Sequence, residues 1–130
     1  MKGYVANIEQ LAVANEYFRQ VLYTDTRVQL VVMALAVGED IGEEVHQLDQ
    51  FIRVEKGEGK SVLDGVEYPI SDGSAVIIPQ GVRHNIINTG ASPMKLYTLY
   101  APPNHEDGTI HKTKAEALVD EEHFDGKTTE

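Results

Sequence analysis

The sequence contains no cysteine and no tryptophan. Without thiols there is no thiolate zinc site, no cysteine nucleophile, no disulfide and no redox relay. Basic residues are the minority, 11 against 21 acidic, for a formal net charge of −10. Nucleic acid and anionic membrane surfaces recognise positive potential, so neither is an expected partner. No apolar run approaches the ~20 residues that span a bilayer. The opening stretch, MKGYVANIEQ, has no signal-peptide character. A soluble, cytoplasmic protein is expected. The 130 residues suit one domain that buries roughly two-thirds of the surface its unfolded chain exposes.

What is present is unevenly distributed. Residues 101–130 hold three basic and eight acidic side chains, half of the net charge, and Ala101-Pro102-Pro103 marks a boundary before them. A solvated, irregular acidic tail is expected there. At the other end, Asn7 with Gln10 in an N-x-x-Q pattern, and Ile8 and Leu11 between and after, predicts a capped short helix. Tyr17 to Thr24 then alternates apolar and polar residues, Thr24-Asp25-Thr26 offers a turn, and Val28 to Val37 is a buried-strand run. A continuous helix from Ile8 to Leu22 is the alternative to that hairpin.

From there the chain has the rhythm of an all-β protein. Short stretches such as QFIRVE, SAVIIP, HNIIN and MKLYTLY are separated by Gly57, Gly59, Asp64-Gly65, Asp72-Gly73, Gly81 and Gly90. Each stretch has strand length, and strands at this spacing make a sandwich or barrel. Strand side chains alternate faces. Around residue 50 the even positions read Glu44, His46, Leu48, Gln50, Ile52 and Val54, polar first and then apolar. A strand running from a functional mouth into a packed interior has this pattern, and it sends Arg53 outward.

Further on lies Gly73-x5-Pro79-x-Gly81-x2-His84-x3-Asn88. It resembles the second motif of the cupin superfamily, G-x5-P-x-G-x2-H-x3-N, at every fixed position. At ordinary residue frequencies a chance match is on the order of 10⁻⁵, so the resemblance is specific for the fold. The first cupin motif, G-x5-H-x-H-x3,4-E-x6-G, is matched in spacing but not in all letters. Gly38 and Gly57 fill the glycine slots, Glu44 stands in the first His slot, His46 in the second, and Gln50 in the Glu slot. The stretches GEDIGEEVHQLDQFIRVEKGEG and LYAPPNHEDGTIHKTKAEA are similar to small bacterial single-domain cupins often labelled mannose-6-phosphate isomerase-like.

The resemblance implies a cupin barrel (a double-stranded β-helix or jelly roll) over about 17–100, with a short N-terminal helix and the tail at 101–130, all in a single domain. It implies one divalent metal, with Glu44, His46, Gln50 and His84 as the candidate ligands. Two imidazoles and a carboxylate suit Fe(II), with Mn, Ni or Zn also compatible. Gln50 is then a weak neutral oxygen ligand, a donor to a water on the ion, or a hydrogen-bonded interior amide. Glu44 is a ligand, a rim carboxylate, or the catalytic general base. Asn88 is expected to cap backbone groups near the mouth. His105 and His111 in the tail are either solvated or part of a second site or lid, and His123 has no partner signal.

The implied activity is isomerase, lyase or dioxygenase chemistry on a small oxygenated metabolite. The alternative is a non-catalytic barrel that binds or senses a small ligand or metal. A phosphosugar substrate wants convergent Arg or Lys. Among Arg19, Arg27, Arg53, Arg83 and Lys95, only Arg83 adjoins a ligand position. Phe51, Ile77 and Tyr97 are expected in packing or at a subunit interface. A homodimer is expected, because exposed edge strands invite pairing.

Overall fold

The expected N-terminal cap forms in half. In the computed structural model, which describes residues 2–130, Asn7 Oδ1 accepts from the Gln10 N–H at the start of α1 (Ile8–Ala14). The helix stops at Asn15, whose N–H bonds the Leu11 carbonyl. The hairpin therefore replaces the continuous helix: β1 (Arg19–Thr24) pairs antiparallel with β2 (Gln29–Leu35). Phe18, Val21, Val31 and Met33 are buried from this hairpin, more apolar surface than one helix stripe could cover.

The remaining strands are β3 (Asp49–Lys56), β4 (Glu58–Leu63), β5 (Val66–Ser71), β6 (Ala75–Ile78), β7 (His84–Asn88), β8 (Met94–Ala101) and β9 (Ile110–His111), followed by α2 (Lys114–Val119). They form two antiparallel sheets, one ordered β6-β3-β8-β2-β1-β9 and one ordered β5-β4-β7. This is a jelly-roll arrangement, but the hydrogen bonding does not run on around a closed barrel as expected. The segment before β3 meets β7 through two single bridges, Asp40 with Ile87 and Glu44 with His84. Those bridges carry Glu44 alongside His84.

The alternation read from the sequence is the observed one. Gln50, Ile52 and Val54 of β3 are buried, and Arg53 faces outward. The apolar even positions join Leu35, Ile78, Ile86, Met94 and Leu96 in one core between the sheets. Asp64 and Gly65 both adopt positive φ, the backbone a tight hairpin turn between β4 and β5 requires. β5 is an edge strand, where Pro69 costs no inner ladder bond. Phe51 stacks on Tyr97 with ring centroids 6.2 Å apart, whereas Ile77 is exposed.

The acidic tail is largely irregular and most of its carboxylates are exposed, as expected, but it is not a free end. It folds back over the sheets: β9 pairs with β1, and the Thr129 N–H bonds the Thr24 carbonyl. The fully buried Gln29 side chain holds it by three backbone groups, accepting from the Asn104 and His105 N–H groups and donating to the His105 carbonyl. Thr113 and Glu116 form a reciprocal capping box that starts α2. Within it, Glu122 and Asp120 accept hydrogen bonds from His105 and His111, and Lys114 pairs with Asp40.

Candidate metal and ligand site

Four residues singled out from the motifs surround one small interior chamber of about 10 Å³, room for about one water-sized occupant. They arrive from three directions. Glu44 and His46 lie on the segment leading into β3, Gln50 follows with the same parity, and His84 opens β7. His84 Nδ1 donates to the Val82 carbonyl at 2.9 Å. That fixes its tautomer and leaves Nε2 with its lone pair free, as a ligating histidine is usually oriented. The His46 and His84 rings lie 5.1 Å apart, and Tyr100 meets His46 edge-on at 6.0 Å.

Gln50 is buried. Its Nε2 donates to Thr98 Oγ1 at 3.0 Å, while its Oε1 has no hydrogen-bond partner. Buried polar atoms are rarely left so, and each such case calls for an explanation. Of the expected roles for Gln50, the fully satisfied interior amide is therefore not the one observed.

Glu44 does not stand free beside the histidines. Its Oε2 accepts from His46 Nε2 at 2.8 Å. Burial pushes this carboxyl up, but the His46 hydrogen bond and the positive field of Arg19 outweigh it and hold Glu44 below the usual carboxylate range. Glu44 is thus an anion. Among the described residues, no three His, Asp or Glu side chains converge as a ready-made metal cage. The donor chemistry nevertheless suits a divalent ion: two imidazoles, an unpartnered amide oxygen and a carboxylate. That carboxylate is engaged with His46 through Oε2 alone.

Glu44 and His46 also line an outer cavity of about 460 Å³ that the tail roofs over. Here the sequence reading was furthest from the mark. His105 and His111 are buried, at 7% and 3% exposure, rather than solvated. His105 Nδ1 donates to Glu122 Oε1 at 2.6 Å, and its ring meets Tyr100 edge-on. His111 Nε2 donates to Asp120 Oδ2 at 2.9 Å. Arg19, not Arg83, lines this cavity, together with Lys114, and is 7% exposed. Arg83 is 62% exposed and looks onto Glu43. The parity shared by Arg19 and Val21 in a half-buried strand is the signal that could have found it.

Comparison with known proteins agrees with this architecture. The cupin-domain family profile matches residues 31–100. The chain is 44% identical over 128 residues to "Uncharacterized protein YrkC" of Bacillus subtilis, covering 93% of this chain and 69% of that one. It is 38% identical over 112 residues to "Uncharacterized protein L612" of Acanthamoeba polyphaga mimivirus, covering 82% and 70%. The crystal structure of BH2720 from Bacillus halodurans superposes with a TM-score of 0.90 at 43% identity, over 92% of this chain and 96% of that one. No helix among the described residues is long and apolar enough to cross a membrane. By its profile, its relatives and its two-sheet jelly roll with His46 and His84 at one chamber, the chain belongs to the cupin family.

Proposed function

We propose that this cupin is a metal-dependent enzyme acting on a small oxygenated metabolite, of isomerase, lyase or dioxygenase type. The observation that carries the reading is Gln50 Oε1, buried without a partner in the chamber that His46 and His84 also line. His84 Nε2, His46, Gln50 Oε1 and, where it joins them, Glu44 would hold one Fe, Mn, Ni or Zn ion. Such an ion supplies a Lewis acid that polarises a carbonyl or enolate oxygen. The chain itself supplies the rest. Where Glu44 stays with His46 and does not join the ion, it is the anionic base between the inner chamber and the outer cavity, taking a proton from a bound metabolite. Tyr100, buried and with its hydroxyl pushed up by burial, stays neutral and closes the inner wall.

The Glu44–His46 bond favours a second reading, a barrel that binds a small ligand without turnover. The phosphosugar isomerase suggested by the group label is not adopted. The cavity presents Glu44, Asp120, Glu121 and Glu122 against Arg19 and Lys114, a poor setting for a dianion. A homodimer in the cytoplasm fits the exposed Val66 and Tyr68 of the β5 edge, and sedimentation would check the assembly.

Elemental analysis of tag-free protein tests the reading. About one metal per chain is expected in the parent, with little in His46→Ala and His84→Ala. A folded parent that cannot be loaded with Fe(II), Mn, Ni or Zn would overturn the metalloenzyme in favour of the binding module.

A further inference from the structure

Arg19 is the only buried Lys or Arg among the described residues, and it has no counter-ion. Among the described residues no carboxylate ion-pairs with it, although Glu44 and Glu122 are close enough to feel its charge. Those carboxylates are already engaged, Glu44 with His46 and Glu122 with His105. Arg19 spends one N–H: Nη1 donates to His111 Nδ1 at 3.1 Å. Since His111 accepts there, its proton sits on Nε2, which donates to Asp120; the imidazole is neutral and does not cancel the guanidinium. Arg19 Nε is buried with no partner at all. A guanidinium has five N–H donors in a rigid fork, and burying one unpaired is costly. This one lines the cavity of about 460 Å³ that also contains Glu44, His46 and His105, a volume suited to a small metabolite.

We propose that the cavity binds a small monocarboxylate, seated on the Arg19 guanidinium with the rest of its skeleton directed at Glu44 and His46. This rests on the reading of the mouth as a ligand site and names its substrate class. The fork of Arg matches a carboxylate. Lys114 is paired with Asp40, so the uncompensated charge of Arg19 balances one negative charge, and the surrounding carboxylates disfavour a second on the ligand. Phosphate is therefore the discriminating competitor.

The experiment is calorimetric titration of the parent protein, as purified and after chelation and reloading with metal, with acetate, pyruvate, benzoate, benzamide and inorganic phosphate. At least one carboxylate should bind, more tightly than phosphate, and benzamide should not bind. Arg19→Met should weaken carboxylate binding by about a hundredfold and Arg19→Lys, which keeps the charge but loses the fork, by about tenfold. Circular dichroism and thermal melting establish that each variant is folded; if Arg19→Met is not, the Arg19→Lys arm decides alone. The inference is overturned if no carboxylate binds the parent, if phosphate binds best, or if a folded Arg19 variant binds as the parent does. Carboxylate binding that needs metal and ignores Arg19 would overturn it while leaving the metal reading intact. Arg19-dependent binding in a protein that never loads metal would sustain it and sink the metal reading alone.

Discussion

Replacing Asn88 tests whether the second motif's asparagine is structural. The side chain is fully buried at the end of β7. Its Nδ2 group donates to the carbonyls of Leu35, Ala36 and Ser92 at 3.0–3.1 Å, and its Oδ1 accepts from the Gly90 N–H at 2.9 Å. It thus ties β2 to the turn between β7 and β8. Two N–H groups shared among three acceptors, plus one accepted bond, amount to roughly three full hydrogen bonds. At about 1 kcal/mol net each, Asn88→Ala should lose about 3 kcal/mol. That is a large part of the ~5–15 kcal/mol a domain has in total. For a chain of this size it corresponds to a fall in melting temperature of about 10 °C. Asn88→Asp should cost more, because it turns an acceptor and a charge toward three carbonyls. Urea denaturation and calorimetry on both variants provide the values. Asn88 lies about 13 Å along the strand from His84, so metal content per folded chain should not change. A loss below about 1 kcal/mol for Asn88→Ala, or an aspartate variant no worse than the alanine one, would refute the reasoning.

Two further outcomes are expected, beside those given for His46, His84 and Arg19. A Cβ on Gly59 would fall 2.2 Å from the Ile87 carbonyl oxygen and 2.4 Å from Met94 Cε. The oxygen cannot retreat without opening the β4–β7 pairing, so Gly59→Ala should lose about 3 kcal/mol or more; a melting temperature within about 3 °C of the parent would contradict this. His105 is held below its ordinary value, mainly by burial and also by Arg19, against the opposing pull of Glu122 and Glu44. Its contribution to stability is therefore complete above about pH 6.5 and is lost as the pH falls through the lowered value, because the unfolded chain takes the proton first. His105→Asn, which keeps a donor for Glu122, should flatten the stability profile just below about pH 6.5. A parent that gains stability over that range relative to the variant would show the opposite shift.

The inward residues of β3 and the placement of His46 and His84 were legible in the sequence because strand alternation is a local property. The alternation of burial carries over from Glu44 to Val54 although the chain bends at Gln47 and Leu48 before β3 begins. Glycine and proline spacing likewise located the turns. The outer cavity was not legible, because its contacts are long in sequence. Arg19 meets His111 across 92 residues, and Gln29 meets His105 across 76. Composition accounts for the exposed carboxylates of the tail but carries no sign of its anchorage by the buried Gln29. Glu44 is an intermediate case. Its side of the sheet followed from parity, but its bond to His46 depends on the side-chain geometry two residues on.

The C-terminal segment has a consequence for how function is inferred across such chains. Residues 31–100, where the family profile matches, contain both motif histidines and Gln50. Arg19, Asn104, His105, Lys114 and Glu122 of the outer cavity all fall outside that stretch. The proposed metal chamber and most of the residues proposed to seat a ligand thus lie in different stretches of the polypeptide, joined at Glu44 and His46, which line both. On the two proposals together, a chimera exchanging only the two flanks should exchange ligand preference with them.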